Sequence, residues 1–271
     1  MAEKRRLDTA IFEAGLAESR EKAKAYIMAG VVFVNQQKAD KPGMVLKPDD
    51  VLEVRANPLK YVSRGGLKLE KAMESFDLRL TGSVCADIGA STGGFTDCML
   101  QNGAQRVYAI DVGYGQLAWK LRSDARVVNL ERTNFRYVTR EQVDQPLDFA
   151  SVDVSFISLA LILPPLQALM KENAEAVCLI KPQFEAGKEN VGKKGVVRDP
   201  AVHCAVIEKI TGFAVQQGFT VAHLDFSPIK GPEGNIEYLM HIVNEGRGEY
   251  RAAAAQEIVA ASHATLDKLR E

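Results

Sequence analysis

The 271-residue chain has no apolar run near the roughly 18–20 residues that a membrane-spanning helix requires. Its basic start, MAEKRRLDTA, is not followed by the apolar segment of a secretory signal. Its four cysteines, Cys85, Cys98, Cys178 and Cys204, show no Cys-x-x-Cys spacing, and no His/Cys pattern suggests metal ligands. Neither a resident metal nor a disulfide framework is therefore expected, and reduced thiols in a soluble cytoplasmic protein are. No internal repeat occurs, and the only biased tract is an alanine-rich tail. Charge of one sign is also lacking, at a net −1. Residues 1–60 carry eleven Lys/Arg against nine Asp/Glu, whereas residues 61–271 carry 23 against 26. The asymmetry is small, but it makes the N-terminal part the better candidate for nucleic-acid contact.

What is present is a change of rhythm along the chain. Leu7, Ile11 and Leu16 recur near helical spacing across residues 5–18, with Gly15 breaking the pattern. Ser19 is placed to cap a second helix, REKAKAYIMAG, which Gly30 ends. The strand-like VVFVN and MVLKPDDVLEV follow, with a polar turn between them. On charge alone, the basic residues of this unit are explained as a solvated helix face. The whole pattern resembles the S4-type RNA-binding domain: the Arg-Leu-Asp opening, Ser19-Arg20 before the second helix, and the strand from Gly30 to Asn35. That resemblance implies a small α+β RNA-binding domain over residues 1–54. Arg5, Arg6, Arg20, Lys22, Lys24 and Lys38 would make phosphate contacts with folded RNA, and Arg64 would join them from the linker at 55–64.

From residue 65 to 271 strands and helices alternate. SVCADIGA, RVYAIDVG, VVNLER, LDFASVDVSF and AVCLIK read as successive strands. A long helix, PAVHCAVIEKITGFAVQQG, precedes two more, VAHLDFS and EYLMHIV, and residues 249–271 read as a terminal helix. Such alternation argues an α/β fold, a Rossmann-like and mostly parallel sheet with helices on both faces and its last strand antiparallel.

In CADIGASTGGFTDCML a strand runs into a glycine-rich turn and a helix. The spacing is Gly-x-x-x-Gly-Gly rather than the Gly-x-Gly-x-x-Gly of dinucleotide sites, and an acid, Asp87, precedes Gly89 by two residues. A carboxylate there disfavours pyrophosphate and favours a ligand with an ammonium group, such as S-adenosylmethionine. Asp111, 22 residues past Gly89 at the end of the next strand, suits a ribose diol. Asn134 could pair with an adenine edge, or simply form a turn. Methyltransferase and dehydrogenase both remain open on these features, and Asp87 could be a structural acid.

Charged residues then stand at strand ends. Asp153 ends one strand, Lys181 ends the buried run Val177–Ile180, and Glu237 opens the last strand. Ligands of an open α/β sheet bind outside the carboxyl ends of its parallel strands, where these side chains would meet, with Lys68 approaching from the preceding helix. Each residue taken singly is explained as an ordinary solvated or ion-paired strand end. In this order around DIGASTGGF, Lys68, Asp153, Lys181 and Glu237 resemble the Lys-Asp-Lys-Glu tetrad of the FtsJ/RrmJ-type ribose 2′-O-methyltransferases. With YVSRGGLKL, ERTNFR, DVSFISL, LIKPQFEAG and KGVVRD, residues 3–244 resemble the TlyA (hemolysin A) family.

The resemblance implies a class I methyltransferase sheet, S-adenosylmethionine as donor, and a cytidine 2′-hydroxyl in ribosomal RNA or ribosomal subunits as acceptor. The cofactor residues it implies are Gly89, Ser91, Gly93, Phe95, Asp111, Asn134 and Asp153, beside Asp87 from the reading above. The related enzymes carry an acid where Asn134 stands. A lysine accepts a hydroxyl proton only in its neutral form, which burial and a neighbouring cation favour; Lys68 is that neighbour, and Asp153 and Glu237 orient the amine. The glycine- and lysine-rich FEAGKENVGKKGVVRD reads either as a plain solvated loop or as an RNA clamp through Lys188, Lys193, Lys194 and Arg198. A monomer is expected. The alternatives are a base methyltransferase, a non-catalytic RNA-binding protein and a membrane-active hemolysin. The first lacks an Asn/Asp-Pro-Pro-Tyr turn where DVSF stands, and the last lacks a membrane span.

Overall fold

Ser19 caps a helix as its position suggests: its Oγ accepts the Lys22 amide at 3.1 Å. The structure, a computed structural model, describes residues 5–28, 30–55 and 60–267, which divide into units Met1–Lys60 and Tyr61–Glu271. Residues 56–59 of the expected linker, and 268–271 of the expected terminal helix, lie outside the described residues.

The first unit runs β1 (Arg5–Arg6), α1 (Leu7–Glu13), α2 (Arg20–Met28), β2 (Val32–Val34), β3 (Gln37–Lys38), β4 (Val45–Leu46) and β5 (Leu52–Val54). β1 pairs antiparallel with β4, and β2 lies between β3 and β5. Leu7, Ile11, Ala23, Ile27, Val32 and Val34 form its core. Two sequence expectations change here. α1 stops at Glu13 and leaves Leu16 exposed, because Gly15 takes a left-handed φ of +69°. Arg5 and Arg6 precede the helix in an edge strand rather than lying on it.

The second unit runs α3 (Gly66–Ser75), β6 (Val84–Ile88), α4 (Gly94–Gln101), β7 (Arg106–Ile110), α5 (Trp119–Arg122), β8 (Val127–Leu130), β9 (Leu147–Val152) and α6 (Leu163–Leu169). It continues with β10 (Met170–Ile180), α7 (Pro182–Glu185), α8 (Pro200–Gln216), β11 (Thr220–Phe226), β12 (Tyr238–Val243) and α9 (Ala255–Leu266). One seven-stranded sheet results, in the order β11-β12-β10-β9-β6-β7-β8. β8, β7, β6, β9 and β10 are parallel to their neighbours, and β12 enters antiparallel between β10 and β11. All five residues of β6 are buried, alternate ones packing into the cores on opposite faces. The chain leaves β10 at Lys181, and Pro182 opens α7, where a missing N–H costs nothing.

The terminal helix begins at Ala255, not Glu249. Val221 N–H donates to the Glu249 carbonyl at 2.8 Å and Arg251 N–H to the Val221 carbonyl at 2.8 Å. These ladder bonds along β11 hold residues 249–251 extended and override the helical propensity of the segment.

Candidate active site

Two close approaches by glycine bring Lys68 to the sheet edge. A Cβ on Gly94 would lie 2.8 Å from the Gly66 nitrogen, and one on Gly66 would lie 2.4 Å from the Tyr61 ring. The starts of α3 and α4 therefore touch, and Lys68 projects from the first turn of α3. Its ammonium donates to Glu237 Oε2 at 2.6 Å and to Asp153 Oδ2 at 3.3 Å. Lys181 Nζ forms an ion pair with Asp153 Oδ1 at 2.5 Å and donates to Ser155 Oγ at 3.2 Å. Lys68, Lys181 and Glu237 are buried and Asp153 is nearly so. Two lysines and two acids thus make one connected cluster at the carboxyl ends of β9 and β10, with Asp153 between the lysines.

Burial pulls the Lys68 ammonium toward the neutral form, but Asp153 and Glu237 outweigh it and hold its pKa above that of ordinary lysine. Burial likewise pushes Asp153 up, and the two lysines outweigh it and hold it below the usual carboxylate range. The sequence reading set Lys68 as the cation favouring a neutral Lys181, with Asp153 and Glu237 orienting that amine. In the structure both acids contact Lys68 itself.

Two cavities adjoin the cluster. One, of about 360 Å³, is bordered by Gly89, Ser91, Asp111, Asn134 and Asp153, with Ile110 and Ile157 on its apolar walls. The other, of about 800 Å³, is bordered by Lys181, Glu237, Asn235, Phe184, Lys188 and Lys194. Ser155 and Phe156 belong to the walls of both. The Lys181–Asp153 pair therefore spans from one cavity to the other, while Lys68 borders neither.

The smaller cavity has the groups a nucleoside-bearing ligand needs. Asp111 is fixed by the amides of Ser91, at 2.8 Å, and Gly113, at 2.6 Å, which hold its carboxylate in place at the cavity wall. Asn134 Oδ1 caps the short turn Phe135–Tyr137 by accepting the Arg136 amide, so the residue both shapes the turn and borders the cavity.

Three expected cofactor residues lie elsewhere. Asp87 is buried and does not border the cavity; its Oδ2 accepts from the Thr96 amide at 2.8 Å and hydroxyl at 2.7 Å, and Ser151 Oγ donates to Oδ1 at 3.3 Å. It clamps the first turn of α4 to β6 and β9. Phe95 is packed in the core, and Gly93 is covered by Leu117 and Leu121.

Burial raises the Asp87 carboxyl to about 7, despite the donors from Thr96 that favour its anion. A group raised in the folded state gives stability that is complete below its unfolded value near 3.8 and is lost as pH rises through about 7. Asp87→Asn cannot titrate. The stability difference between wild type and variant should therefore shift by a few kcal/mol against wild type from pH 4 to 7.5, as read by denaturant unfolding at both pH values. A pH-independent difference would refute the raised carboxyl.

The sequence reading missed Phe156. Its φ of +63° is unusual for a bulky residue, and its side chain is 90% exposed in the wall between the cavities. Its ring lies 4.9 Å from that of Phe184. Arg132 over Tyr114 at 4.1 Å and Arg136 over Tyr137 at 5.2 Å add exposed cation–aromatic pairs beyond β7 and β8. DVSF contains Phe156, and ERTNFR contains Arg132 and Arg136, but only the fold gathers them with their aromatic partners.

Of the expected RNA residues, Arg5 is bound to Glu13 and Arg6 to Asp8, and Arg20 stands 3.6 Å from the same Asp8. Asp8 is buried, and these guanidiniums, Arg6 foremost, hold its carboxyl down at about 2. Lys24, Lys38 and Arg64 are exposed and Lys22 is half-buried.

Residues 61–243 match the FtsJ-like methyltransferase family, and residues 5–52 match the S4 domain. The chain belongs to the FtsJ-like methyltransferases. It is 52% identical to YqxC of Bacillus subtilis, which carries an rRNA methyltransferase name, over 98% of this chain and 96% of that one. It is 41% identical to the 16S/23S rRNA (cytidine-2′-O)-methyltransferase TlyA of Mycobacterium tuberculosis, over 99% of each. A solved structure from Streptococcus thermophilus that carries the hemolysin name matches at 47% identity and a TM-score of 0.77, over 98% of each chain. This FtsJ-like methyltransferase therefore pairs an S4 domain with a catalytic sheet, and among its described residues no helix is long and apolar enough to cross a membrane.

Proposed function

We propose that this enzyme transfers a methyl group from S-adenosylmethionine to the 2′-hydroxyl of a cytidine in ribosomal RNA, free or within a ribosomal subunit. The observation that carries the reading is the Lys181–Asp153 pair at the junction of the two cavities. The smaller cavity fits the cofactor: Asp111 would hold the ribose diol, Asn134 the adenine edge, and the apolar walls the ring faces. The larger one fits the acceptor nucleotide, with cations at its rim and an aromatic wall.

When bound, S-adenosylmethionine supplies an electrophilic methyl on a sulfonium. The bond from ribose oxygen to methyl forms as the bond from methyl to sulfur breaks, and the hydroxyl loses one proton. Lys181 is the amine that faces the acceptor, so it orients the 2′-oxygen in line with the methyl. A hydroxyl oxygen gaining a third bond is far more acidic than a free one, and its proton passes to Lys181 Nζ in the amine form, leaving an ammonium that the Asp153 carboxylate holds. Lys68 and Glu237 keep both members of that pair in place. No metal enters this scheme. Lys188, Lys193, Lys194 and Arg198 in the loop beside the acceptor cavity, and the exposed Lys24, Lys38 and Arg64, supply phosphate contacts.

The test is to map 2′-O-methylation on ribosomal RNA incubated with the cofactor, with and without the protein. New methylation confined to one or a few cytidines supports the reading, and transfer to a base sinks it. Phe156→Ala should lower kcat/KM for RNA by roughly ten- to a hundredfold, the range expected when a base loses about 1–3 kcal/mol of aromatic stacking. Cofactor affinity, followed by calorimetry, should move much less.

A further inference from the structure

The loop between α7 and α8 carries Lys188, Lys193 and Lys194, all exposed, and two of these border the acceptor cavity. A stretch so rich in glycine and lysine has little apolar surface with which to hold itself in place. The structure gives it two internal anchors that no charge or motif announces. Asn235 is 1% exposed, and its side-chain amide is used at both ends: Oδ1 accepts the Val197 amide at 3.0 Å and Nδ2 donates to the Gly195 carbonyl at 2.8 Å. His203, fully buried on α8, donates from Nε2 to the Val197 carbonyl at 3.1 Å. That bond places the proton on Nε2 and leaves Nδ1 to accept from the Tyr238 hydroxyl at 2.6 Å. Tyr238 in turn lies 3.2 Å from Ser262 Oγ on α9.

Resting on the methyltransferase reading, we infer that Asn235 and His203 are positioning residues for RNA: they tie the loop at Gly195 and Val197, hold its lysines at the acceptor cavity, and take their support from β12 and α9. Asn235 and Tyr238 flank Glu237 on one short segment. The same few residues therefore deliver the acid that fixes Lys68 and pin the loop that grips the substrate. This gives α9 a part in substrate binding, through the His203–Tyr238 pair. The loop's grip is electrostatic, so it is read through salt dependence: each lost phosphate contact flattens the slope of log affinity against log salt by roughly 0.7–1.

Three measurements on the full chain test the inference. Asn235→Ala should speed trypsin cleavage within the loop by about tenfold and raise KM for an rRNA fragment by about tenfold, equivalent to about 1.4 kcal/mol. Cofactor affinity should stay within about twofold. The salt slope of RNA binding should flatten as it does in a Lys188→Ala, Lys194→Ala double variant, and adding Asn235→Ala to that variant should cost little more. Tyr238→Phe keeps the packing, removes only the hydroxyl that His203 accepts, and should show the same changes in smaller degree. An Asn235→Ala protein with lowered kcat but unchanged KM and salt slope would overturn the inference, as would costs that multiply with those of the lysine changes. Failure of the methyltransferase reading looks different: the wild type itself would then transfer no methyl group to rRNA, whatever the trypsin result.

Discussion

Lys181→Ala should lower methyl transfer to ribosomal RNA by about a hundredfold to ten-thousandfold, the usual worth of a positioned proton-transfer group, while the protein still folds and binds S-adenosylmethionine. The fold should survive because Asp153 keeps Lys68 at 3.3 Å, so no buried carboxylate is left without a cation. Cofactor binding should survive because Lys181 borders the acceptor cavity and not the smaller one. The loss should fall on kcat, since the amine acts on an oxygen that reacts only in the transition state. Lys68→Ala should behave differently. It strips the cation from Glu237 and leaves a buried acid unpaired, so loss of activity should come with loss of stability. Single-turnover transfer of labelled methyl, with calorimetry for the cofactor, separates the two variants. Wild-type turnover by Lys181→Ala would remove the lysine from the mechanism.

Gly89→Ala should be nearly as damaging to activity, for reasons of space and not of charge. Gly89 has a φ of +87°, and a Cβ there would lie 2.5 Å from the Asp153 carbonyl oxygen and 2.9 Å from its carbonyl carbon. Both are backbone atoms that cannot swing aside. The left-handed conformation alone costs about 1–3 kcal/mol for a residue with a side chain. The contact adds displacement of Asp153, which the cofactor cavity and both lysines share. Cofactor affinity should fall at least about tenfold, equivalent to about 1.4 kcal/mol, and the melting temperature should drop. Gly82→Ala is the control, with a φ of +75° and nothing within 4 Å of its would-be Cβ. It should show the conformational cost without the loss of binding. Equal effects at the two positions would mean that contact with Asp153 does not matter.

The features legible in the sequence were those set by local pattern. Apolar runs of strand length, and Ser19 before a helix, gave the element order, because capping and periodicity act within a few residues. The convergence of Asp153 and Lys181 followed from strand polarity, since a parallel sheet puts the carboxyl ends of its strands on one edge; Glu237 joined them through an antiparallel last strand, and the resemblance to the family tetrad added Lys68. What the pattern could not carry was the partner of each polar side chain. Asp87 read as a ligand-facing acid, yet Thr96 and Ser151 consume its oxygens. Arg5 and Arg6 read as RNA contacts, yet acids within the same unit hold them. Residues 249–251 read as helix, yet the edge of β11 recruited them. His203 and Asn235 drew no notice, because a buried histidine and a turn asparagine look alike whether or not they hold a loop, six residues away for the one and 38 for the other.

The placement of β12 also bears on how the protein is made. β12 fills the slot between β10 and β11, so it is synthesised after both of the strands that it joins. A nascent chain ending before Glu237 already contains every residue of the cofactor cavity but lacks that acid and the strand that lies between β10 and β11. Lys68 would wait there without one of its two acids, and two unsatisfied strand edges would face water until the final segment emerged. The catalytic cluster is thus completed only once this segment has emerged, and a message truncated within it should yield an aggregating chain rather than a half-active enzyme.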